Sequence, residues 1–144
     1  GCRFSGIPFT CEAQLAGPQR LRWTELAILA PSSRSATPWV ERSATMVWEV
    51  LDGRTDCLLW TAFPWHPIGP AGPLSNGKPG RSLTEGLAVL NCLLSLFPDA
   101  QVHAVGRVAE RALAAVGVSA PYIRHPSHGG KRQFQQAVLA LRPS

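Results

Sequence analysis

The feature that most constrains the fold of this chain is an alternation of strand-like and helix-like segments after residue 56. Short apolar runs typical of buried strands are each followed by a run of helical length. The predicted strands span 57–63, 100–106 and 120–126, and the helices that follow them span 82–97, 107–117 and 131–142. This order indicates βαβ units, and therefore predicts an α/β fold with a parallel sheet and right-handed crossovers.

The segments before and between these elements have a different character. A helix is predicted over Ala44–Leu51, with Ser43 as its N-cap and the Asp52-Gly53 pair at its end. Residues 21–29 fit either a strand or a helix. The stretch 64–80 contains five prolines and four glycines, a composition that predicts a long loop without regular structure. Ordered loops of this length often carry function.

The composition is that of one folded domain with a basic surface. The 144 residues are 45% apolar and 16% charged, and the formal net charge is +5. We therefore expect a single domain over residues 1–144, with nucleic acid as the first candidate for an anionic partner. Cys57 and Cys92 lie in apolar runs and are predicted to be buried.

The longest apolar run, Leu87–Phe97, is too short to span a bilayer, so a buried helix and a cytoplasmic location are expected. The chain opens on Gly1, and Met46 is its only methionine. Both features suggest a piece of a longer polypeptide.

Ligands of parallel α/β sheets bind at the carboxyl ends of the strands, which selects the positions after Phe63, Gly106 and His125. His125 precedes Pro126, which stiffens the chain and fixes the direction of the imidazole. A histidine there is able to donate a hydrogen bond into a cleft. The alternative is a capping or core histidine bonded to backbone.

Gly129 and Gly130 open the last helix beside Lys131 and Arg132. Free N–H groups at a helix N-terminus next to two cations form a phosphate site on physical grounds. A flexible turn with a solvated basic face is the alternative. Motifs for zinc, for a hydrolase nucleophile elbow, for nucleoside triphosphates and for dinucleotides are absent from the sequence.

Three motifs together resemble the uracil-DNA glycosylase superfamily. They are "SGIPFT" near the start, "LLWTAFPWHPIGPAGPLSNGKPG" after an apolar run, and "RHPSHGG" after the last predicted strand. They are most similar to bacterial members with an "FPWHP" stretch and a final "HPS" motif. The motifs occur in the family's order, and the resemblance covers nearly the whole chain.

The resemblance implies a three-layer α/β/α fold with a central four-stranded parallel sheet, of which one strand is expected to be missing here. It also implies removal of a damaged base, usually uracil, from DNA without a metal or cofactor. In the family, the histidine of "HPS" bonds uracil O2 as charge develops on the leaving base, and His125 matches it. The residues that follow push the base out of the duplex; here they are Ser127–Lys131, with His128 as the wedge.

Two further base contacts follow from the resemblance. Phe9 matches the aromatic residue that stacks on the flipped base, although a core phenylalanine in a loop is the alternative. Thr61 stands where the family usually has an asparagine that reads the edge of uracil. A threonine has one hydroxyl and lacks the bidentate pairing, so we expect selectivity for uracil to be relaxed or redirected to another deaminated base. The alternative is that Thr61 is an ordinary strand residue and that the match to the motif is shifted by one position.

The family's first motif, which positions the attacking water, is absent. Glu12 is the carboxylate nearest to Phe9 in sequence, but we do not expect it to act as a substitute. Some members of the superfamily bind an iron–sulfur cluster; Trp65 stands in place of one cluster cysteine, so no cluster is expected.

These observations predict a monofunctional DNA glycosylase that acts on uracil or a related base, works as a monomer and has no membrane partner. Its predicted phosphate contacts are Asn76, Lys78, Lys131 and Arg132. A nucleic-acid-binding module that kept the fold and lost the chemistry is the main alternative. A small-molecule enzyme on a doubly wound fold is a third.

Overall fold

A computed structural model describes residues 4–16, 33, 35–78, 80 and 83–141 of the chain. The chain divides into two compact units. The first comprises residues 1–59 together with 126–143, and the second comprises residues 60–125 with the last residue. The two units are described separately below.

The described residues form five helices and four short strands. In chain order these are α1 (Glu12–Ala16), α2 (Arg42–Leu51), β1 (Ile68–Gly69), β2 (Gly72–Asn76), α3 (Leu83–Leu96), β3 (Ala104–Val105), α4 (Arg107–Ala115), β4 (Tyr122–Ile123) and α5 (Lys131–Leu139). No helix in this described part of the chain is both long and apolar enough to cross a bilayer.

The first unit is helical and is built around the contact between α2 and α5. Each helix has an apolar stripe, and its buried members include Val47 of α2 and the pair Phe134 and Val138 of α5. Phe134 and Val138 lie four residues apart on one face of α5, in line with the helix predicted to begin at residue 131. A smaller cluster of Cys11, Ala13 and Ala44 joins the N-terminal segment to α2.

The start of α2 differs from the prediction. Its N-cap is Glu41, whose carbonyl accepts the first helical hydrogen bond from the N–H of Thr45 at 3.0 Å. Ser43 lies inside the helix, and its hydroxyl donates to the Glu41 carboxylate at 2.7 Å instead of capping a backbone N–H. Asp52 follows the helix as its C-cap and Gly53 has a positive φ, as the sequence indicated.

The second unit contains a parallel β-α-β arrangement. β3 and β4 pair in parallel, with Ala104 opposite Tyr122 and Val105 opposite Ile123, and α4 lies between them in the chain. Leu90 of α3 and Leu113 of α4 form a buried core with Ala104 and Ala112. A mixed helix and strand fold with parallel pairing is therefore observed, and the parallel sheet of the described residues has two strands.

The strand predicted at 57–63 is wrong: the structure has no strand over these residues. A strand needs a neighbour for its N–H and C=O groups, and no described strand pairs with this segment. Leu58 is 60% exposed, in line with the missing neighbour.

The predicted burial of Cys57 and Cys92 is also wrong, because both are exposed. Cys92 lies on α3, which is apolar around most of its circumference, and of its described side chains only Gly86 and Leu90 are buried. Hydrophobic composition alone therefore did not indicate which face of α3 points to the core.

The proline-rich stretch is also more regular than predicted. β1 and β2 form an antiparallel hairpin, with Ile68 opposite Asn76 and Gly69 opposite Gly72. Pro70 falls in the two-residue turn, where a missing N–H costs no ladder hydrogen bond. The Gly77 N–H donates to the Pro67 carbonyl at 2.7 Å and extends the pairing by one step.

Candidate functional site

The residues of the predicted site are divided between the two units. Thr61, Asn76, Lys78 and His125 belong to the second unit, and Phe9 and residues 127–132 belong to the first.

His125 follows β4 at the carboxyl edge of the parallel pair, next to the glycine that ends β3. A Cβ atom added to Gly106 would lie 3.1 Å from the His125 Cβ and 3.5 Å from its Cδ2. The imidazole therefore packs directly on the Gly106 backbone. Gly106 is buried, and its N–H donates to the Ile123 carbonyl at 2.9 Å, so the support for the ring is part of the sheet itself.

Gly106 also has a backbone conformation that other residues avoid. Its φ of 86° and ψ of 166° lie in a region that is essentially restricted to glycine. It is the N-cap of α4, so the histidine is packed against the first turn of that helix. Two of the three positions selected from the sequence, those after Gly106 and His125, are thus adjacent in the structure.

A cationic residue that the sequence analysis did not name, Arg107, directly follows Gly106 in the chain. Arg107, the first residue of α4, places its guanidinium carbon 4.4 Å from the centre of the Tyr122 ring. It also bonds to the Glu110 carboxylate at 2.8 Å. The guanidinium therefore lies over the first residue of β4 and is also engaged by Glu110.

Thr61 is half-buried and precedes a segment that packs closely on α3. A Cβ atom at Gly86 would meet the Ala62 carbonyl oxygen and the Pro64 Cδ at 3.1 Å each. Ala62 also packs against the core of the second unit. Because Gly86 has no side chain, the chain immediately after Thr61 is able to pack closely on α3.

Phe9 lies in a structured turn of the first unit and has a φ of 49°. The Thr10 N–H donates to the Ile7 carbonyl at 3.2 Å, and the Ser5 hydroxyl donates to the Thr10 carbonyl at 2.5 Å. Thr10 itself is buried, and its hydroxyl accepts from Trp48 Nε1 at 3.1 Å. These bonds hold an aromatic residue in the left-handed region, which is uncommon for a side chain of this size.

His128 is the second described residue other than glycine with a positive φ, at 52°. Gly129 follows with a φ of 77°, and the Gly130 N–H donates to the Ser127 carbonyl at 3.2 Å. The two left-handed residues turn the chain into α5, whose N-cap is Gly130. His128 and Gly129 are exposed at this turn, as the wedge prediction requires.

The predicted phosphate contact Lys131 has a partner within the protein. Its ammonium group lies 2.7 Å from Oε2 of Glu49 on α2, and the Gln135 side-chain amide donates to the same carboxylate at 2.7 Å. Arg132 is exposed on the first turn of α5. Of the two cations, Lys131 is thus partly neutralised by Glu49 in the free protein.

On the hairpin, Lys78 is exposed, and no carboxylate in the described part of the chain lies within ion-pair distance of it. Asn76 ends β2 and pairs with Ile68 through the backbone. The prediction for its side chain lies outside the described residues.

Glu12 is almost fully buried, and its carboxylate has a structural role. It accepts hydrogen bonds from the N–H and the hydroxyl of Ser33, both at 2.6 Å, and from the N–H of Trp39 at 3.0 Å. A carboxylate with three donors on it anchors the chain around residues 33–39. This engagement agrees with the expectation that Glu12 does not replace the water-positioning group.

Other chemistries find little support in the described residues. No group of three or more His, Cys, Asp or Glu side chains comes together to hold a metal ion there. Although Cys57 is exposed, partial desolvation of its thiol is the main cause that raises the pKa of this group, which disfavours the nucleophilic thiolate. An open depression of about 530 Å³, lined by Leu94, Phe97 and His103 among others, lies at the amino ends of β3 and β4, away from His125.

Comparison of the chain with known protein families, with curated proteins and with solved structures yields no match.

Proposed function

We propose that the protein is a DNA glycosylase of the uracil-DNA glycosylase type, which flips uracil or a related deaminated base and hydrolyses its N-glycosidic bond. The three-layer fold with additional sheet strands belongs to this proposal. The observation that supports it most directly is the packing of His125 on the Gly106 backbone at the carboxyl edge of β3 and β4. That is the edge at which ligands of parallel sheets bind.

The role of His125 is to donate a hydrogen bond to the leaving base. When the bond between the sugar C1′ and the base nitrogen breaks, the electron pair stays on the base, and the negative charge spreads to its carbonyl oxygens. Water adds to C1′ and loses a proton. A donor held rigidly toward the developing anion lowers the barrier because it needs no reorganisation during the reaction.

Phe9 supplies the stacking surface for the extruded base in this proposal. The left-handed backbone of Phe9 costs conformational free energy, which the surrounding hydrogen bonds offset. Backbone outliers of this kind cluster at functional sites. Base stacking on an aromatic ring contributes about 1–3 kcal/mol. Thr61, with one hydroxyl, reads the base edge less strictly than an amide does, so related deaminated bases are candidate substrates alongside uracil.

The turn of His128 enters the duplex in the place of the extruded base. Its exposure and its fixed left-handed conformation suit a wedge, since a mobile loop would lose more entropy on insertion. The basic charge of the chain suits the phosphate backbone that surrounds such an insertion.

The direct test is base release from labelled oligonucleotides that contain uracil, hypoxanthine or xanthine, as single strands and as duplexes. Alkaline cleavage of the abasic product reports turnover. We expect release of at least one of these bases. His125→Ala should lower kcat by at least about 100-fold on single strands and on duplexes alike. Absence of abasic product at high enzyme concentration would count against the proposal.

His128→Gly is the matched histidine control. Glycine accepts a φ of 52° without strain, so this variant should fold normally while it removes the wedge. It should lower release from duplexes but leave release from single strands near the wild-type rate, because a single strand has no stack to open. Equal losses on both substrates would contradict the division of roles between His125 and His128.

A non-catalytic nucleic-acid-binding module is the second candidate. Thr61 favours it, since a single hydroxyl does not form the bidentate pair with uracil that an amide forms. Salt-dependent binding to abasic or uracil-containing DNA, with no product from any of the three bases, would favour this candidate.

A further inference from the structure

We infer that Thr10 and Trp48 are positioning residues for the extruded base, because the hydrogen bond between them fixes the turn that presents Phe9. The inference rests on the proposed function in that Phe9 stacks on this base. It extends the proposal to two residues that act through Phe9 and not by contact with the reacting atoms.

The hydroxyl of Thr10 links the two sides of Phe9 to each other and to α2. Thr10 is fully buried, and its hydroxyl donates to the Pro8 carbonyl at 3.0 Å and accepts from Trp48 Nε1 at 3.1 Å. A hydroxyl has one proton to donate and two acceptor positions, so both bonds form at the same time. The residues before and after Phe9 are thereby joined, and one of them is bonded to a helix.

The backbone of the same turn is held by further hydrogen bonds. The Thr10 N–H donates to the Ile7 carbonyl at 3.2 Å, and the Ser5 hydroxyl donates to the Thr10 carbonyl at 2.5 Å. Phe9 has a φ of 49° within this turn, a conformation that persists only where the surroundings support it. Loss of the Thr10 hydroxyl should therefore allow Phe9 to leave this conformation.

Trp48 is a fixed point for the turn because it lies on α2, the helix that packs on α5 in the same unit. Ala44 lies one helical turn before Trp48 and therefore on the same face of α2. Ala44 forms a buried cluster with Cys11 and Ala13, which follow Thr10 in the chain. This face of α2 thus supports the N-terminal segment through apolar packing and through the indole N–H.

The test compares binding to two labelled single strands that differ at one position. One strand carries 2′-fluoro-2′-deoxyuridine, whose glycosidic bond resists hydrolysis because the fluorine disfavours positive charge at C1′. The other carries a tetrahydrofuran abasic analogue, which has no base to stack. Fluorescence anisotropy gives both dissociation constants, and their ratio is the base preference. We expect the wild type to prefer the uridine strand by about 5- to 100-fold, the contribution of one stacked base.

Thr10→Val, which keeps the shape of the side chain and removes the hydroxyl, should lower the base preference by about 3- to 10-fold, a part of the stacking contribution. Thr10→Ser restores the hydroxyl and should recover most of the preference. Trp48→Phe removes the indole N–H and should change the preference in the same direction as Thr10→Val. Thr45→Val is the matched control, because its hydroxyl donates to the Glu41 carbonyl at the start of α2, and it should leave the preference unchanged.

A double-variant cycle with Phe9→Leu separates positioning from a general loss of structure. If Thr10 acts through Phe9, Thr10→Val should alter the base preference by less than about twofold in the Phe9→Leu background. Circular dichroism and a urea unfolding curve verify that each variant is folded.

Equal losses of affinity for both strands in Thr10→Val would overturn the inference, since they would indicate a general structural effect. A wild type without a base preference would overturn it as well. A wild-type chain that releases a base, with a preference that Thr10→Val leaves unchanged, would refute the positioning role and leave the proposed function intact. A base preference that depends on Thr10 and Phe9, without any base release, would do the reverse.

Discussion

Replacement of Gly106 by alanine should damage both stability and base release, through two effects that the structure separates. The first is the backbone: a φ of 86° with a ψ of 166° costs a residue with a Cβ about 1–3 kcal/mol. The second is contact: the new Cβ would lie 3.1 Å from the His125 Cβ, so the histidine must move by a few tenths of an ångström.

The two effects predict different readouts. The free energy of unfolding should fall by about 2–4 kcal/mol, measured by urea unfolding, since strain and the displaced neighbour add to each other. A misplacement of 1 Å typically lowers an enzyme's rate by about 100-fold, so a shift of a few tenths should lower base release by roughly 3- to 10-fold.

Gly117→Ala is the matched control. Gly117 has a φ of 79°, and no atom lies within 4 Å of the position where its Cβ would be. This variant should lose about 1–2 kcal/mol of stability from the backbone term alone and release the base at the wild-type rate. A loss of base release in Gly117→Ala as large as that in Gly106→Ala would refute the argument.

A double-variant cycle isolates the contact. The cycle combines Gly106→Ala with His125→Gly. His125→Ala does not serve here, because it keeps the His125 Cβ that the new methyl group at position 106 would meet. The destabilisation caused by Gly106→Ala should be smaller in the His125→Gly background than in the wild type. Simple additivity of the two changes would show that the imidazole does not depend on the Gly106 surface.

Three further predictions concern other parts of the chain. Phe9→Leu should lower base release by about 5- to 100-fold while Phe9→Tyr retains it, because only the aromatic ring stacks; equal rates for both would contradict the stacking role. Glu49→Gln should cost at most about 1 kcal/mol of stability but free Lys131 for phosphate, so the salt slope on duplex DNA should steepen by about 0.9 in anisotropy titrations. The hydrogen bond from Arg54 holds the pKa of Asp56 below its usual value, so this pair adds stability above about pH 4 that is lost as the pH falls through the lowered pKa. Asp56→Asn should remove that part of the acid dependence in urea unfolding curves recorded between about pH 5 and pH 2, and an unchanged profile would contradict it.

The helices were the part of the fold that the sequence predicted best. α4 and α5 begin at the predicted residues, and α3, described from Leu83, lies within its predicted span, because glycines and apolar periodicity act locally along the chain. Ser43 was the exception: its hydroxyl bonds to a carboxylate two residues away, a competing local contact that cap statistics do not reveal.

The strands were predicted less well because their hydrogen bonds depend on distant residues. The run at 57–63 has strand-like composition but no described strand pairs with it, whereas the proline-rich loop forms a hairpin with Pro70 in its turn. Of the site, the nearness of Gly106 and His125 followed from the rule for parallel strands. The contact of Glu12 with Ser33 joins residues 21 positions apart and has no local signal, and the left-handed backbone of Phe9 is uncommon for a residue of its type although local hydrogen bonds hold it.

The discontinuous make-up of the first unit has a consequence for how the protein is made. In the sequence, α2 precedes the second unit and α5 follows it. The two helices are nevertheless joined, because Lys131 and Gln135 of α5 both bond to the carboxylate of Glu49 on α2. On a ribosome the stretch 60–125 therefore emerges complete before α5 has been synthesised. The earlier stretch waits for its partner helix with Val47 and its other apolar side chains uncovered, so this half of the nascent chain needs chaperone protection the longest.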